Sequence, residues 1–179
     1  MKTFILLLRG INVGGHKKIK MAELKKQLEG LKLKDVQTYI QSGNVVFKSE
    51  KNSIVALTGE IENMIKENYS FEAKALVLTK QKFEAIFNKN PYLSQKQNEQ
   101  EKLYCTLFFQ TPEKEKLDLL KLINTDGDEF IEGDNCLYFY YNNGYGKSKI
   151  NNPVIENKIK VLATTRNWKT MTKLREMAL

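Results

Sequence analysis

The residues with the clearest chemical potential stand in four polar loops rich in glycine, asparagine and basic side chains. The first loop, Arg9–Gly15, follows an apolar segment and places three glycines within six residues. Glycine permits positive φ and close backbone approach, so this loop predicts either a small nest of amides for an anion or a wide turn. Its G-x-x-x-G-G spacing does not match the G-x-G-x-x-G fingerprint of dinucleotide-binding loops.

The second and third loops also combine turn chemistry with possible phosphate contacts. Ser42–Asn44 has the Ser-Gly-Asn composition of a tight turn. Asn143–Ser148 ends in Gly-Lys-Ser, as a phosphate-binding P-loop does, but Tyr141 stands where the first P-loop glycine is required. A nucleoside triphosphatase is therefore not indicated, and a looser phosphate contact from Lys147 and Ser148 stays open.

The fourth loop, Thr164–Asn167, introduces the closing helix. Asn167 is a good N-cap residue, and the free amides of a helix N-terminus favour anions. Arg166 can hold a carboxylate or phosphate through two parallel hydrogen bonds. The alternative is a purely structural cap with Trp168 as a core anchor, and both interpretations can hold together.

Positive charge is concentrated where these loops lie. The chain has 29 Lys+Arg against 21 Asp+Glu, a net charge of +8. Residues 1–48 carry +7 and residues 142–179 carry +6, whereas residues 49–141 carry −5. This distribution favours a phosphate-bearing partner, although exposed lysines on helix exteriors explain it equally simply.

We therefore predict a basic cleft that gathers the four loops around an anionic ligand. The candidate ligand-binding residues are Arg9, Gly10, Asn12, Gly14, Gly15, Ser42, Gly43, Asn44, Asn143, Gly144, Gly146, Lys147, Ser148, Thr165, Arg166 and Asn167.

No catalytic residue, cofactor or metal site is predicted. His16 is the only histidine, and nothing in the sequence supplies it with a partner acid or nucleophile. Cys105 and Cys136 lie 31 residues apart without a CxxC spacing, which argues against zinc and favours two small core thiols.

Aromatic residues raise a further hypothesis in the second half of the chain. Tyr138 and Tyr140 share one face of a predicted strand, and Tyr104 and Phe108 share a face of another. Together they could form a base-stacking platform of the RNA-recognition type. The expected aromatic motif is absent from 134–141, and packing between two halves explains the rings at least as well.

Hydrophobic periodicity predicts the elements that position these loops. Apolar runs and alternating segments indicate strands, and stripes such as Met21, Leu24 and Leu28 indicate helices. The resulting β-α-β-β-α-β order occurs twice, which predicts an α+β fold of two successive ferredoxin-like halves (α-β plaits) with antiparallel sheets and an extra C-terminal helix.

The predicted boundaries are 1–80 for the first half, 81–102 for a helix and polar linker, and 103–179 for the second half with the closing helix. Within the first half, Val36, Thr38 and Ile40 are expected on the buried face of one strand. Within the second half, Val161–Thr164 is expected as a short final strand.

The N-terminal apolar run predicts a buried strand and not a targeting segment. Phe4–Leu8 is only five residues long and ends at Arg9, whereas a secretory apolar region needs about 7–15 residues. We expect a cytoplasmic protein that does not contact membranes. The sequence leaves the oligomeric state open.

Four motifs together resemble a known family. The segments Leu7–Gly15 with Lys20–Leu24, Tyr39–Phe47, Asn143–Lys149 and Ala163–Trp168 are similar to the signatures of a bacterial family of unassigned function, domain-of-unknown-function family 1697. The resemblance spans nearly the whole chain and implies an α/β protein of two ferredoxin-like halves. It implies no reaction, substrate or cofactor.

The leading functional hypothesis is a protein that binds a phosphate-bearing ligand, a nucleotide or a nucleic acid, with Arg9, Lys147 and Arg166 neutralising its charge. One alternative is an enzyme on a small phosphorylated or acidic substrate, with Ser148 or Lys147 reacting. Another is a non-catalytic assembly module whose loops hold two halves together.

Overall fold

The computed structural model describes all 179 residues and divides into two compact units. The first unit comprises residues 1–85 together with Lys173–Leu179, and the second comprises Ile86–Thr172. The C-terminal segment therefore belongs to the first unit. The sequence-based boundaries 1–80, 81–102 and 103–179 remain a prediction.

The first unit is a four-stranded antiparallel sheet with two helices. Its strands follow the order β2-β3-β1-β4, which is the arrangement of a ferredoxin-like half. The elements are β1 (Lys2–Arg9), α1 (Met21–Gly30), β2 (Lys34–Tyr39), β3 (Asn44–Ser49), α2 (Ile54–Tyr69) and β4 (Lys74–Thr79).

The core of this unit forms because alternate residues of the central strand face the helices. Phe4, Leu6 and Leu8 of β1 belong to one buried cluster with Leu24 of α1 and Ile61 of α2. The intervening residues Ile5 and Leu7 are also fully buried, which explains why β1 reads as a continuous apolar run.

The second unit repeats the same topology, with strand order β6-β7-β5-β8. A connecting helix, α3 (Lys80–Asn88), contains the boundary between the units, and α7 (Trp168–Met177) contains the return to the first. The remaining elements are α4 (Tyr92–Gln95), β5 (Leu103–Phe108), α5 (Lys114–Asp118), β6 (Glu129–Gly133), β7 (Cys136–Tyr140), α6 (Asn152–Ile159) and β8 (Ala163–Asn167).

The prediction of two ferredoxin-like halves is confirmed by both sheets. The polar segment after α4, which the sequence suggested as a linker, forms short 3-10 turns over Gln97–Lys102, with a kink at Glu99, within the second unit. None of the helices combines the length and apolar character that a membrane-spanning segment needs.

Two local predictions are wrong. β2 ends at Tyr39, so Ile40 lies outside the strand and half exposed instead of on its buried face. The last strand runs over Ala163–Asn167 and not over Val161–Thr164. Thr165 and Arg166 are therefore strand residues, and no loop separates them from α7.

Candidate functional site

Two of the four predicted motifs meet at one end of the first unit. The Leu8 amide donates to the Gly43 carbonyl (2.9 Å), and Asn12 Nδ2 donates to the Gln41 carbonyl (2.7 Å). The β1–α1 loop and the β2–β3 loop are thereby joined where β1 ends. We call this region the loop end of the first unit, and it includes the neighbouring α2–β4 connection.

Gly14 and Gly15 of the β1–α1 loop form a small hairpin turn, and the predicted contact of this loop with an anion stays a prediction. Gly14 and Gly15 both have positive φ (58° and 79°), as the two central residues of a type I′ turn require. The His16 amide closes the turn on the Val13 carbonyl (3.0 Å). The glycine spacing thus serves a tight reversal that projects Val13–His16 into solvent.

Asn12 braces this hairpin from its base. Its Oδ1 accepts from the Ile19 amide (2.8 Å), and its Nδ2 donates to the Ile19 carbonyl (2.9 Å) as well as to Gln41. Lys17 adds a second anchor, because its Nζ donates to the Glu72 carbonyl (2.7 Å). These hydrogen bonds fix the conformation of the β1–α1 loop.

The Ser42–Asn44 motif is engaged in packing and internal hydrogen bonds. Asn44 is fully buried, and its Nδ2 donates to the Tyr39 carbonyl (3.1 Å) and to Ser42 Oγ (2.8 Å). A Cβ placed on Gly43 would lie 2.6 Å from Leu8 Cβ. Glycine is therefore required here by close packing as well as by its φ of 74°.

A pocket of about 630 Å³ opens beside the hairpin at the start of α1. The N-cap residue Lys20 makes no side-chain capping bond, so the first amides of α1 are left for solvent or a ligand. Tyr69 lies in the same wall, and its hydroxyl is buried beside the Gln27 side chain. The pocket is lined by Asn12, Lys18, Ile19, Lys20, Met21, Ala22, Glu23, Gln41 and Tyr69.

The charge around this pocket is only partly compensated. Lys20 lies 3.4 Å from Glu23, an exposed ion pair. Lys18 is exposed and makes no ion pair or side-chain hydrogen bond. Burial raises the pKa of Tyr69, and the Glu23 carboxylate raises it further, so the phenol stays neutral at physiological pH.

The other two motifs meet in the second unit, where β5 begins and β7 ends. Tyr145 stacks on Tyr104 with ring centroids 5.3 Å apart, and its hydroxyl accepts from the Asn152 amide (3.3 Å). Asn152 Oδ1 in turn accepts from Thr165 Oγ1 (3.0 Å). The β7–α6 loop is thereby tied to β8.

Most candidate side chains of this second pair are used internally. Ser148 Oγ accepts from the Ile150 amide (3.1 Å), which makes a local turn and not a P-loop. Asn167 Oδ1 accepts from the Thr170 amide (2.8 Å), so its predicted role as N-cap of the closing helix is confirmed. Lys147 is exposed, and its ammonium makes no ion pair.

Arg166 is held along its own strand. Its Nη1 donates to Thr164 Oγ1 (2.8 Å) and to the Thr165 carbonyl (3.0 Å). Burial lowers the pKa of Arg166 to about 10, opposed by the nearby Tyr145. Arg166 remains cationic at neutral pH at that value, and its predicted ligand contact stays a prediction.

The predicted aromatic platform is wrong, because its two pairs of rings lie on opposite sheet faces. Cys105 pairs with Tyr138 and Tyr104 pairs with Phe139, which places Tyr104 and Phe108 on the helix-facing side. Tyr138, Tyr140 and Phe108 are moreover buried. These rings build the core and offer no surface for base stacking.

Both cysteines are free and buried on the sheet of the second unit, as predicted for core thiols. Burial raises the pKa of the Cys105 thiol well above its usual range, and the adjacent Cys136 raises it further. No group of three His, Cys, Asp or Glu side chains is placed to hold a metal ion.

Two other pockets are less suited to an anion. A pocket of about 690 Å³ beside β6 is lined by Asp128, Glu129 and Glu132 against one lysine, Lys121. A pocket of about 590 Å³ beside β2 has its lysines paired with acids, as in Lys48–Asp35 at 2.7 Å. The pocket at the start of α1, by contrast, combines a predicted motif residue, Asn12, with an unpaired lysine, Lys18.

The candidate residues thus form two pairs of motifs, one pair in each unit, and a single cleft shared by all four remains a prediction. Sequence reasoning missed Lys18, Gln41 and Tyr69. The run of basic residues between Arg9 and Ala22 without any acid was the available signal for Lys18. Nothing local indicates Tyr69, which reaches the pocket from the end of α2.

Comparisons with known proteins agree with this architecture. A family model described as a protein of unknown function, DUF1697, matches residues 1–138. Among solved structures, the conserved bacterial protein SP0830 from Streptococcus pneumoniae is similar with a TM-score of 0.74 and 25% identity, over 99% of each chain. The comparison with curated proteins found no match.

Proposed function

The chain belongs to the DUF1697 family of proteins of unknown function, and from that premise we propose that it binds a phosphate-bearing ligand, a nucleotide or a nucleic acid. The proposed site is the pocket at the start of α1, at the loop end of the first unit. The proposal concerns binding alone.

The observation that carries the proposal is a net positive charge beside this pocket, in which Lys18 has no acidic partner and Lys20 is paired with Glu23. Residues 9–22 contain Arg9, Lys17, Lys18 and Lys20 and no acidic residue. The first unit has 17 basic against 10 acidic residues, a net charge of +7, whereas the second has 12 against 11, a net charge of +1. A field of this kind attracts phosphates and concentrates them near the loop.

The pocket wall offers hydrogen-bond donors as well as charge. The amides that begin α1 lack a side-chain cap, and a helix N-terminus carries a partial positive charge that favours phosphate oxygens. Lys18, free of any acidic partner, is the residue we expect to contact the ligand's charge directly.

Four further candidate residues of the first unit fit this proposal in two roles. Asn12, Gly43 and Asn44 hold the loop end in shape through the contacts described above. Arg9 follows the buried part of β1 and contributes to the local positive field.

Tripolyphosphate is the minimal probe of the proposal, with binding measured by isothermal titration calorimetry. Replacing Lys18 and Lys20 with glutamine should weaken binding by about tenfold or more, because two positive charges that attract the phosphates are lost. The matched control replaces Lys25 and Lys26, two exposed lysines further along α1, and removes the same net charge.

The two variants separate a local site from general attraction. We expect the Lys25/Lys26 variant to keep most of the affinity. Equal weakening by both variants, or no binding of tripolyphosphate by the wild-type protein at low salt, would overturn the proposal.

A further inference from the structure

Ile40 occupies a backbone conformation that its side chain disfavours. Its φ is +48°, in the left-handed region, where a β-branched residue is strained and glycine or asparagine is usual. Ile40 is also 51% exposed, so burial of its side chain does not offset the strain. A strained residue retained on the surface points to a role outside the fold itself.

A second exposed aliphatic side chain stands on the adjoining loop. Val13, at the base of the Gly14–Gly15 turn, is 66% exposed. The hydrogen bond from Asn12 to the Gln41 carbonyl joins the residues next to Val13 and Ile40. We call these two side chains the apolar tip of the loop end.

Basic residues surround the apolar tip, and exposed aromatic rings do not. His16, Lys17 and Lys18 are exposed on the same hairpin. The nearby Tyr69 and Phe71 pack against the hydrophobic core. Proteins that bind single strands stack unpaired bases on exposed aromatic side chains. This surface offers no such side chains.

We infer that the loop end docks on double-stranded DNA, with the Val13–His16 hairpin entering the major groove. This inference rests on the proposed function and specifies double-stranded DNA as the phosphate-bearing ligand. The major groove of B-form DNA is about 12 Å wide and admits elements as broad as an α-helix or a two-stranded β-ribbon. The Val13–His16 turn, closed by a single bridge between those two residues, is no broader than such a ribbon. With glycines at its apex the hairpin is slim, and Lys18, which follows it in the chain, then faces phosphates while Val13 and Ile40 contact the apolar parts of base edges.

The form of the duplex should matter. A-form RNA has a deep, narrow major groove that side chains cannot reach. Fluorescence anisotropy with a labelled DNA duplex, one of its single strands and the RNA duplex of the same sequence should therefore rank the DNA duplex first.

Variants of the apolar tip provide the sharpest test. Val13→Ser should weaken binding to the DNA duplex by about fivefold, through lost apolar contact. Val55→Ser is the matched control, because Val55 is 84% exposed on α2 of the same unit. We expect this control to bind as the wild type does.

Ile40→Asn should move stability and binding in opposite directions. Asparagine tolerates the left-handed region, so the melting temperature should rise by about 2–4 °C, while the affinity for the DNA duplex falls. If Ile40 had only a structural role, its replacement would not weaken DNA binding while raising the melting temperature.

The outcomes distinguish this inference from the proposed function. If Val13→Ser and Ile40→Asn bind the DNA duplex as the wild type does, the inference fails, and the proposed function stands provided that Lys18 and Lys20 still govern tripolyphosphate binding. Equal affinity for duplex and single strand would also overturn it. Binding to phosphatidylserine vesicles that is lost in Val13→Ser would overturn the inference too, because the apolar tip would then insert into a membrane.

Discussion

At the scale of single residues, glycines that look alike in the sequence are required for different physical reasons. Gly10 and Gly43 have nearly equal positive φ, 72° and 74°. A Cβ on Gly10 would meet nothing within 4 Å, whereas a Cβ on Gly43 would press against Leu8 and Ile11. Gly43 was a predicted ligand contact, and its geometry shows that close packing between two loops already requires glycine there.

This pair of glycines gives a matched prediction. Gly10→Ala should lower the free energy of unfolding by about 1 kcal/mol, the cost of the left-handed backbone. Gly43→Ala should cost about 1–3 kcal/mol more, because Leu8 or Ile11 must also move. Urea denaturation of both variants measures the difference. Equal destabilisation would show that the β2–β3 loop relaxes freely and that the close approach is unimportant.

At the scale of elements, the strands and helices were largely predictable because burial imposes periodicity. β1 is apolar on both faces, and α1 and α2 show their stripes in the sequence. The end of β2 was not predictable, since alternation from Val36 to Ile40 continues past the strand and does not reveal a positive φ. The polar residues of β8 concealed a strand because its pairing with β5 is a long-range contact.

The loop end depends on an element-scale brace, and this too could not be inferred from composition. Asn12 was predicted as a ligand contact, and the structure shows its amide bridging two loops through three hydrogen bonds. Its partners, Ile19 and Gln41, use backbone atoms, which leave no signature in the sequence. Knowing the turn residues of each loop is insufficient to predict that the loops are joined.

The Asn12→Asp substitution tests this brace. Aspartate keeps the shape but cannot donate to the two carbonyls, so we expect unfolding to become easier by about 2–3 kcal/mol near pH 7. The carbonyls raise the pKa of the new carboxyl in the folded state, so part of the loss should be recovered as the pH falls toward about 4 and the group protonates.

Asn157→Asp is the control for this change, because the exposed Asn157 only accepts from Lys160 Nζ. It should leave stability nearly unchanged in urea denaturation at both pH values. An Asn12→Asp variant that is as stable as the wild type near neutral pH would contradict the bracing role.

At the scale of the whole molecule, charge and topology are distributed differently than a linear reading indicates. Counting along the chain places positive charge at both termini, but the units carry +7 and +1. The two counts differ for two reasons. Lys173–Leu179 belongs to the first unit, and the positive charge of the rest of the C-terminal stretch is balanced by acidic residues elsewhere in the second unit. Each unit contains two of the predicted motifs. Because the first unit carries most of the positive charge, its loop end is the better-supported site.

The most direct test of this site is a chemical-shift titration of the uniformly ¹⁵N-labelled full-length protein with tripolyphosphate. We predict that the largest amide shifts fall at Lys18, Lys20 and the first turn of α1, and that they saturate with a single affinity. Shifts centred on Asn143–Ser148, or spread evenly over the exposed lysines of both units without saturation, would contradict it.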